Sequence, residues 1–175
     1  YELIYSNKVS TYNLLSDSII KRKSKTVNKR TEVIFEIYLG NAYKDFKKRI
    51  YLRQEDFGGS KYLVKRSTDE NKWVDVDSTK TILGYMCKKA RLESDSTATV
   101  WYATTIPIPD GPYSFFGSPG LVLEASSKRV YFVAESVSQL TSIPNIEKPK
   151  AGKVVSEDDL RGLALKFLVS THKSE

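Results

Sequence analysis

Apolar and polar residues alternate with a period of two along much of this chain, which is the mark of a strand with one buried face. Over residues 32–39, Val33, Phe35, Ile37 and Leu39 fall on one side. Leu121, Leu123 and Ala125 do the same against Val122 and Glu124, as do Val130, Phe132 and Ala134 against Tyr131 and Glu135. Residues 1–9, 48–53, 62–67, 81–92 and 99–108 are further strand candidates, rich in aromatic and β-branched side chains. Turn chemistry separates them, for example at Leu39-Gly40-Asn41, Gly58-Gly59-Ser60 and Ser126-Ser127. Roughly eight short strands in series predict a mainly β (β-rich α+β) fold, either a curved antiparallel sheet or an open half-barrel.

The period changes near the end. Ser156 followed by Glu157, Asp158 and Asp159 is a capping-box start with acids in the first turn. Leu160, Leu163, Ala164, Phe167 and Leu168 then share a face at helical spacing. This predicts a C-terminal amphipathic helix over 156–170 that docks on the sheet, with a membrane surface or a partner as the alternative docking site. A weaker helix is predicted over 13–21 from Leu14, Leu15, Ile19 and Ile20. Residues 142–155, with Pro144 and Pro149, read as an irregular connection.

Composition adds bounds. At 175 residues, with 40% hydrophobic and 28% charged residues, the chain is expected to form a single domain over 1–175. No apolar run reaches the roughly 18–20 residues that cross a bilayer. The chain opens without methionine in a strand-like stretch, so we expect that a segment has been removed upstream. The net charge of +7 is concentrated in a block containing Lys21, Arg22, Lys23, Lys25, Lys29 and Arg30 and in a second stretch, 43–53, with Lys44, Lys47, Lys48, Arg49 and Arg53. A run of this kind is ordinarily a solvated face. As a functional surface it would suit anionic lipid, polyanionic glycan or an acidic protein. Nucleic acid is not expected, because no DNA- or RNA-binding module accompanies the charge.

Catalytic chemistry finds little support. The single histidine, His172, lies at the end of the chain, and Cys87 is the single cysteine. One of each supplies neither a triad base nor a tetrahedral zinc site, and Gly58-Gly59 lacks the lysine and helix of a phosphate-binding loop. No cofactor is expected. Carboxylates remain, among them Glu55, Asp110, Glu124, Glu157 and the pair Asp75 and Asp77 at strand spacing, which would suit acid–base work or calcium but more simply mark a solvated edge. Cys87 shares a face with Leu83 and Tyr85 at strand spacing and reads as a small buried hydrophobe. An enzyme using a carboxylate or Cys87, or soft-metal capture by Cys87 and Met86, is the alternative to a non-enzymatic protein.

The most specified segment is 101–124. Trp101 and Tyr102 end a strand, and Ile106-Pro107-Ile108-Pro109 must be extended, since each proline restricts its predecessor. Asp110-Gly111-Pro112 turns, Tyr113, Phe115 and Phe116 follow, and Gly117-Ser118-Pro119-Gly120 leads into the next strand. Aromatics on so fixed a loop either plug the end of a β fold or rim a pocket. The candidate ligand- or partner-binding residues are therefore Trp101, Tyr102, Pro107, Gly111, Pro112, Tyr113, Phe115, Phe116, Gly117, Pro119 and Gly120.

These residues resemble the GLPGLI family. The likeness rests on Trp101-Tyr102, Ile106-Pro107, Gly111-Pro112, Phe115 and Gly117-Ser-Pro-Gly-Leu-Val122, together with Ile82-Leu-Gly-Tyr85-Met-Cys87-Lys-Lys-Ala90 upstream. It covers about a quarter of the chain, and Ser118 and Val122 depart from the name-giving hexapeptide. The resemblance implies an exported Bacteroidota cell-envelope protein without an assigned activity, and more loosely a lipoprotein-carrier-like (LolA-like) half-barrel. The resulting expectation is a periplasmic or outer-membrane-associated accessory protein. It would hold an apolar or anionic ligand, or a segment of a protein partner such as outer-membrane transport or secretion machinery.

Overall fold

The computed structural model describes residues 1–13, 41–57, 59–142 and 144–171. The basic block at Lys21–Arg30, the predicted strand over 32–39, the weak helix after Asn13 and His172 lie outside the described residues.

Eleven strands and one helix are present among the described residues. β1 (Glu2–Ser6), β2 (Val9–Asn13), β3 (Ala42–Asp45), β4 (Ile50–Phe57) and β5 (Ser60–Arg66) run antiparallel in sequence order. β11 (Lys153–Val155) closes that sheet by pairing parallel to β5. A second sheet holds β6 (Trp73–Ile82), β7 (Tyr85–Leu92), β8 (Thr99–Ala103), β9 (Leu121–Ser126) and β10 (Tyr131–Val133), all antiparallel. The chain is thus mainly β, as the alternation predicts, but its strands divide between two sheets instead of curling in one.

Several boundaries differ for local reasons. The stretch read as one strand over 1–9 is a hairpin, because Asn7 and Lys8 both take positive φ (51° and 67°) and turn the chain back. β7 is preceded by a tight turn at Leu83-Gly84, also at positive φ (51° and 82°), which splits the predicted 81–92 strand. β6 begins at Trp73, and a bulge between Val76 and Thr79 breaks the alternation just after Asp75. The connection over 142–155 ends in β11, whose pairing with β5 was hidden by the two prolines before it.

The helix prediction holds closely. α1 spans Glu157–Thr171. Ser156 Oγ accepts the Asp159 N–H at 3.0 Å, and Asp159 Oδ2 accepts from Ser156 N–H and Oγ–H at 3.2 and 2.7 Å. This is a reciprocal capping box with aspartate in the acidic position. Leu160 and Leu163 are half-buried, Leu165 is exposed, and the helix packs beside β5. No described helix is long and apolar enough to cross a membrane.

The two sheets share a core. Ala90, Val100, Tyr102, Val122 and Ala125 form the inner face of the second sheet. Tyr12, Ala42 and Tyr51 face them from the first. Phe132 on β10 joins the two groups, packing edge-on against Tyr12 (6.1 Å between centroids) and Phe115 (5.9 Å). Burial of such rings, at roughly 1.5–3 kcal/mol each, supplies much of the adhesion between the layers.

Candidate functional site

The β8–β9 connection, residues 104–120, folds back on itself. Its own backbone bonds run from Gly117 N–H to Pro109 O (2.9 Å), from Leu121 N–H to Ile106 O (2.9 Å) and from Val122 N–H to Asp110 O (2.9 Å). Two glycines allow the close approaches this requires. A Cβ on Gly111 would stand 2.1 Å from Phe115 O, and one on Gly120 would stand 2.0 Å from Ala103 O. The loop is also tied to β6 and the turn before it. Asn71 Nδ2 donates to Ser114 O (2.8 Å) and Phe116 O (3.0 Å), and Trp73 Nε1 donates to Phe116 O (2.8 Å).

The candidate residues do not converge on one cleft. Phe115 packs near Trp73 in the core of the second sheet, whereas Phe116 is fully buried against Tyr51 and Phe46 of the first. Tyr102 is buried and donates to Asp75 at 2.9 Å, with burial and that carboxylate pushing its phenol up to about 12. Gly111 and Gly120 are enclosed, Pro112 and Tyr113 half-buried, and Pro107, Gly117 and Pro119 exposed. Trp101 lies on the opposite face of the sheet from Tyr102, half-buried, beneath Lys80 and Lys89. The geometry is that of a clasp, with successive aromatics dealt to the two sheets.

Two polar clusters anchor the clasp. Lys44, on β3, is fully buried and reaches Asp110 Oδ1 at 2.5 Å and Gly111 O at 2.6 Å. Gly111 N–H also donates to Asp110 Oδ1 at 2.7 Å, and Phe116 stacks 5.5 Å from the ammonium. Burial pulls the lysine below its ordinary range while the carboxylate opposes it. The second cluster lies where β4 meets the loop and the start of α1. Arg53 pairs with Glu55 at 2.6 Å and Glu157 at 3.0 Å and lies 5.2 Å from the Tyr113 ring centroid. Tyr113 itself adopts φ of 50°, a costly conformation for a bulky residue, and directs its hydroxyl to Glu55 at 3.5 Å. Burial lifts the Glu55 carboxyl above its usual range against the pull of Arg53.

Sequence reasoning named Glu55, Glu157 and Asp110 only as members of a carboxylate inventory, and Lys44 only as part of a charged stretch. The available signal was the alternation Tyr51, Arg53, Glu55 on β4, which places charges on the same face as a core aromatic. Cys87 is buried with its thiol pushed up by burial, and the adjacent Met86 is 53% exposed, so the two do not form a common soft-metal pair. Among the described residues no group of three or more His, Cys, Asp or Glu side chains is placed to hold a metal. A shallow polar pocket of about 170 Å3 lies over Asn41, Gln54, Asp56 and Lys61, away from the loop.

Comparison with known proteins corrects the family. Residues 4–161 match the family model PNGase_F-II_N, described as N-glycanase peptide, N-terminal domain. No curated protein matches the chain. The GLPGLI and LolA-like resemblance is overturned, because it drew on one stretch from β6 to β9 whereas this match runs from β1 into α1. A strand ending in Trp-Tyr, a Pro/Gly-rich loop and a returning strand make a local device that unrelated β folds can share. The chain belongs to the family of N-glycanase N-terminal domains.

Proposed function

We propose that this chain is the non-catalytic accessory module of an N-glycanase, acting on how glycoprotein substrate is held while a separate catalytic domain cleaves it. The observation that carries this reading is the family match across 4–161, to a model described as an N-terminal domain. The charge arrangement supports it. Lys44 with Asp110, and Arg53 with Glu55 and Glu157, are committed to joining sheets, loop and helix. N-glycans are carried by surface loops of secreted proteins, so an exported protein agrees with this role.

The test compares an N-glycanase carrying this domain with a version lacking residues 1–175. Deglycosylation of a folded glycoprotein and of a short glycopeptide is followed by mass spectrometry. We expect the deletion to lower turnover of the folded glycoprotein severalfold while leaving the glycopeptide nearly unaffected, and the isolated chain to release no glycan. Glycan release by the isolated chain, or equal turnover with and without it, would refute the accessory role.

A further inference from the structure

Of the ion pairs among the described residues, only Lys44 with Asp110 has both side chains fully shut off from solvent. As ions the two groups make large demands, because an ammonium offers three N–H donors and a carboxylate roughly four lone-pair sites. Their surroundings supply much less. Gly111 O accepts from Lys44 Nζ at 2.6 Å, and Gly111 N–H donates to Asp110 Oδ1 at 2.7 Å. Asp110 Oδ2 is buried with no hydrogen-bond partner among the described residues. The Phe116 ring, 5.5 Å from Nζ, adds an apolar wall. One acceptor for the nitrogen and one donor for a single oxygen do not match an ion pair. They match a neutral amide, which has one N–H and one carbonyl oxygen.

We propose that Lys44 and Asp110 are the two halves of an intramolecular isopeptide bond, formed between Nζ and Cγ once the chain has folded. Nζ stands 2.5 Å from Oδ1, where the nitrogen and oxygen of an amide are about 2.2 Å apart. Closeness is not what sets the pair apart, since Lys80 and Glu124 meet at the same distance with both side chains partly exposed. Dryness is. Burial works against both charges and pulls the lysine below its ordinary range. A proton passed from ammonium to carboxylate removes both charges and leaves an amine nucleophile facing a carboxylic acid.

The atoms then balance without any outside reagent. The Nζ lone pair attacks Cγ, the Cγ–Nζ bond forms and the Cγ–Oδ2 bond breaks. Nζ gives up two protons, one before the attack and one after it, and both depart on Oδ2 as water. Oδ1, held by Gly111 N–H, stays as the amide oxygen, and the remaining N–H keeps its bond to Gly111 O. Ser10, fully buried and paired with Lys44 in the β2–β3 register, has a hydroxyl without a partner among the described residues and offers a relay for the second proton. Holding amine and acid in contact raises their effective concentration by the many orders of magnitude that such a condensation needs. The product joins β3 to the clasp across 66 positions of sequence. A chain with one cysteine has no intramolecular disulfide to brace it, and this amide is a brace that reduction does not open.

Mass spectrometry of the intact chain under denaturing conditions provides the test. We expect wild type to be lighter than its sequence by one water. A protease digest should yield a branched peptide joining the segment around Lys44 to that around Asp110, with trypsin unable to cut after Lys44. Lys44→Arg and Asp110→Ala should carry their full sequence masses. The Asp110-Gly111 step can lose the same water by another route, attack of the Gly111 nitrogen on Cγ to give a cyclic imide. A loss that persists in Lys44→Arg, with no branched peptide in wild type, would assign it to that route and overturn the cross-link. A wild-type chain of undiminished mass after folding and prolonged storage at neutral pH would overturn it as well. The wild-type digest decides the matter even if both variants fail to fold.

Discussion

At the residue scale, Glu55 shows how burial and charge set a measurable pH dependence. Its carboxyl is lifted by burial, with Arg53 pulling the other way and Glu157 adding to the rise. The folded chain therefore holds this proton more tightly than the unfolded chain, whose glutamates titrate near about 4.3. The resulting stabilisation is full below the unfolded value and is lost as pH rises through the elevated folded value. We expect wild type to lose stability relative to Glu55→Gln as pH is raised from about 4 to about 7, read from denaturation midpoints. The attraction of Arg53 acts on the ionised carboxylate and is already part of that shift, so the slope against pH, and not the offset between the two proteins, is the diagnostic quantity. A difference that stays flat, or one that moves in favour of wild type, would show that the carboxyl is not elevated.

Elements were legible where one rule acted alone. The capping box at Ser156 is a local contract between side chain and backbone, and the helix began where it predicted. Alternation located β9 and β10 as strands, but a bulge in β9 opposite Trp101 and Tyr102 puts Val122 and Ala125 in the core between the sheets and Leu123 on the other face, which breaks the predicted grouping of Leu121, Leu123 and Ala125. β11 was not legible, because its three residues gain strand geometry from pairing parallel with β5, a partner just over ninety positions away, and not from any pattern of their own. Lys44 was illegible for a related reason, since a lysine in a short strand reads as solvated until an acid from a distant loop is folded over it. That pair makes the joint between β3 and the clasp sensitive to single changes. Asp110 Oδ2 already lacks a hydrogen-bond partner among the described residues. Lys44→Met would leave the carboxylate buried without its ammonium, so we expect a loss of about 3–5 kcal/mol in urea denaturation. Adding Asp110→Asn removes the stranded charge and should recover part of it. A single variant within about 0.5 kcal/mol of wild type would mean that the site relaxes or admits water.

For the whole molecule, the clasp decides whether two sheets behave as one folding unit. Sequence reasoning placed weight on 101–124 and identified both a plug and a pocket rim as its roles. It could not tell that Phe115 and Phe116 part company, because adjacent residues on a loop follow no fixed period, and only the finished fold assigns each to a sheet. Trp101, grouped with them by proximity in sequence, lies on the far side of β8 from Tyr102 because strand geometry does impose a period there. The division of aromatics gives a direct test of coupling. Both tryptophans of the chain, Trp73 and Trp101, belong to the second sheet, so their fluorescence reports that layer, whereas far-UV circular dichroism reports both. Tyr51, fully buried in the first sheet, meets Phe116 of the clasp at 5.1 Å. Tyr51→Ala should cost roughly 3–5 kcal/mol, as large-to-small changes at buried aromatics do. If the clasp locks the layers together, the variant must lower the midpoint seen by tryptophan fluorescence as far as that seen by circular dichroism. A fluorescence transition left at its wild-type position while the dichroism transition moves would mean that the sheets unfold separately, and that the clasp fastens the loop to each sheet without fastening the sheets to one another.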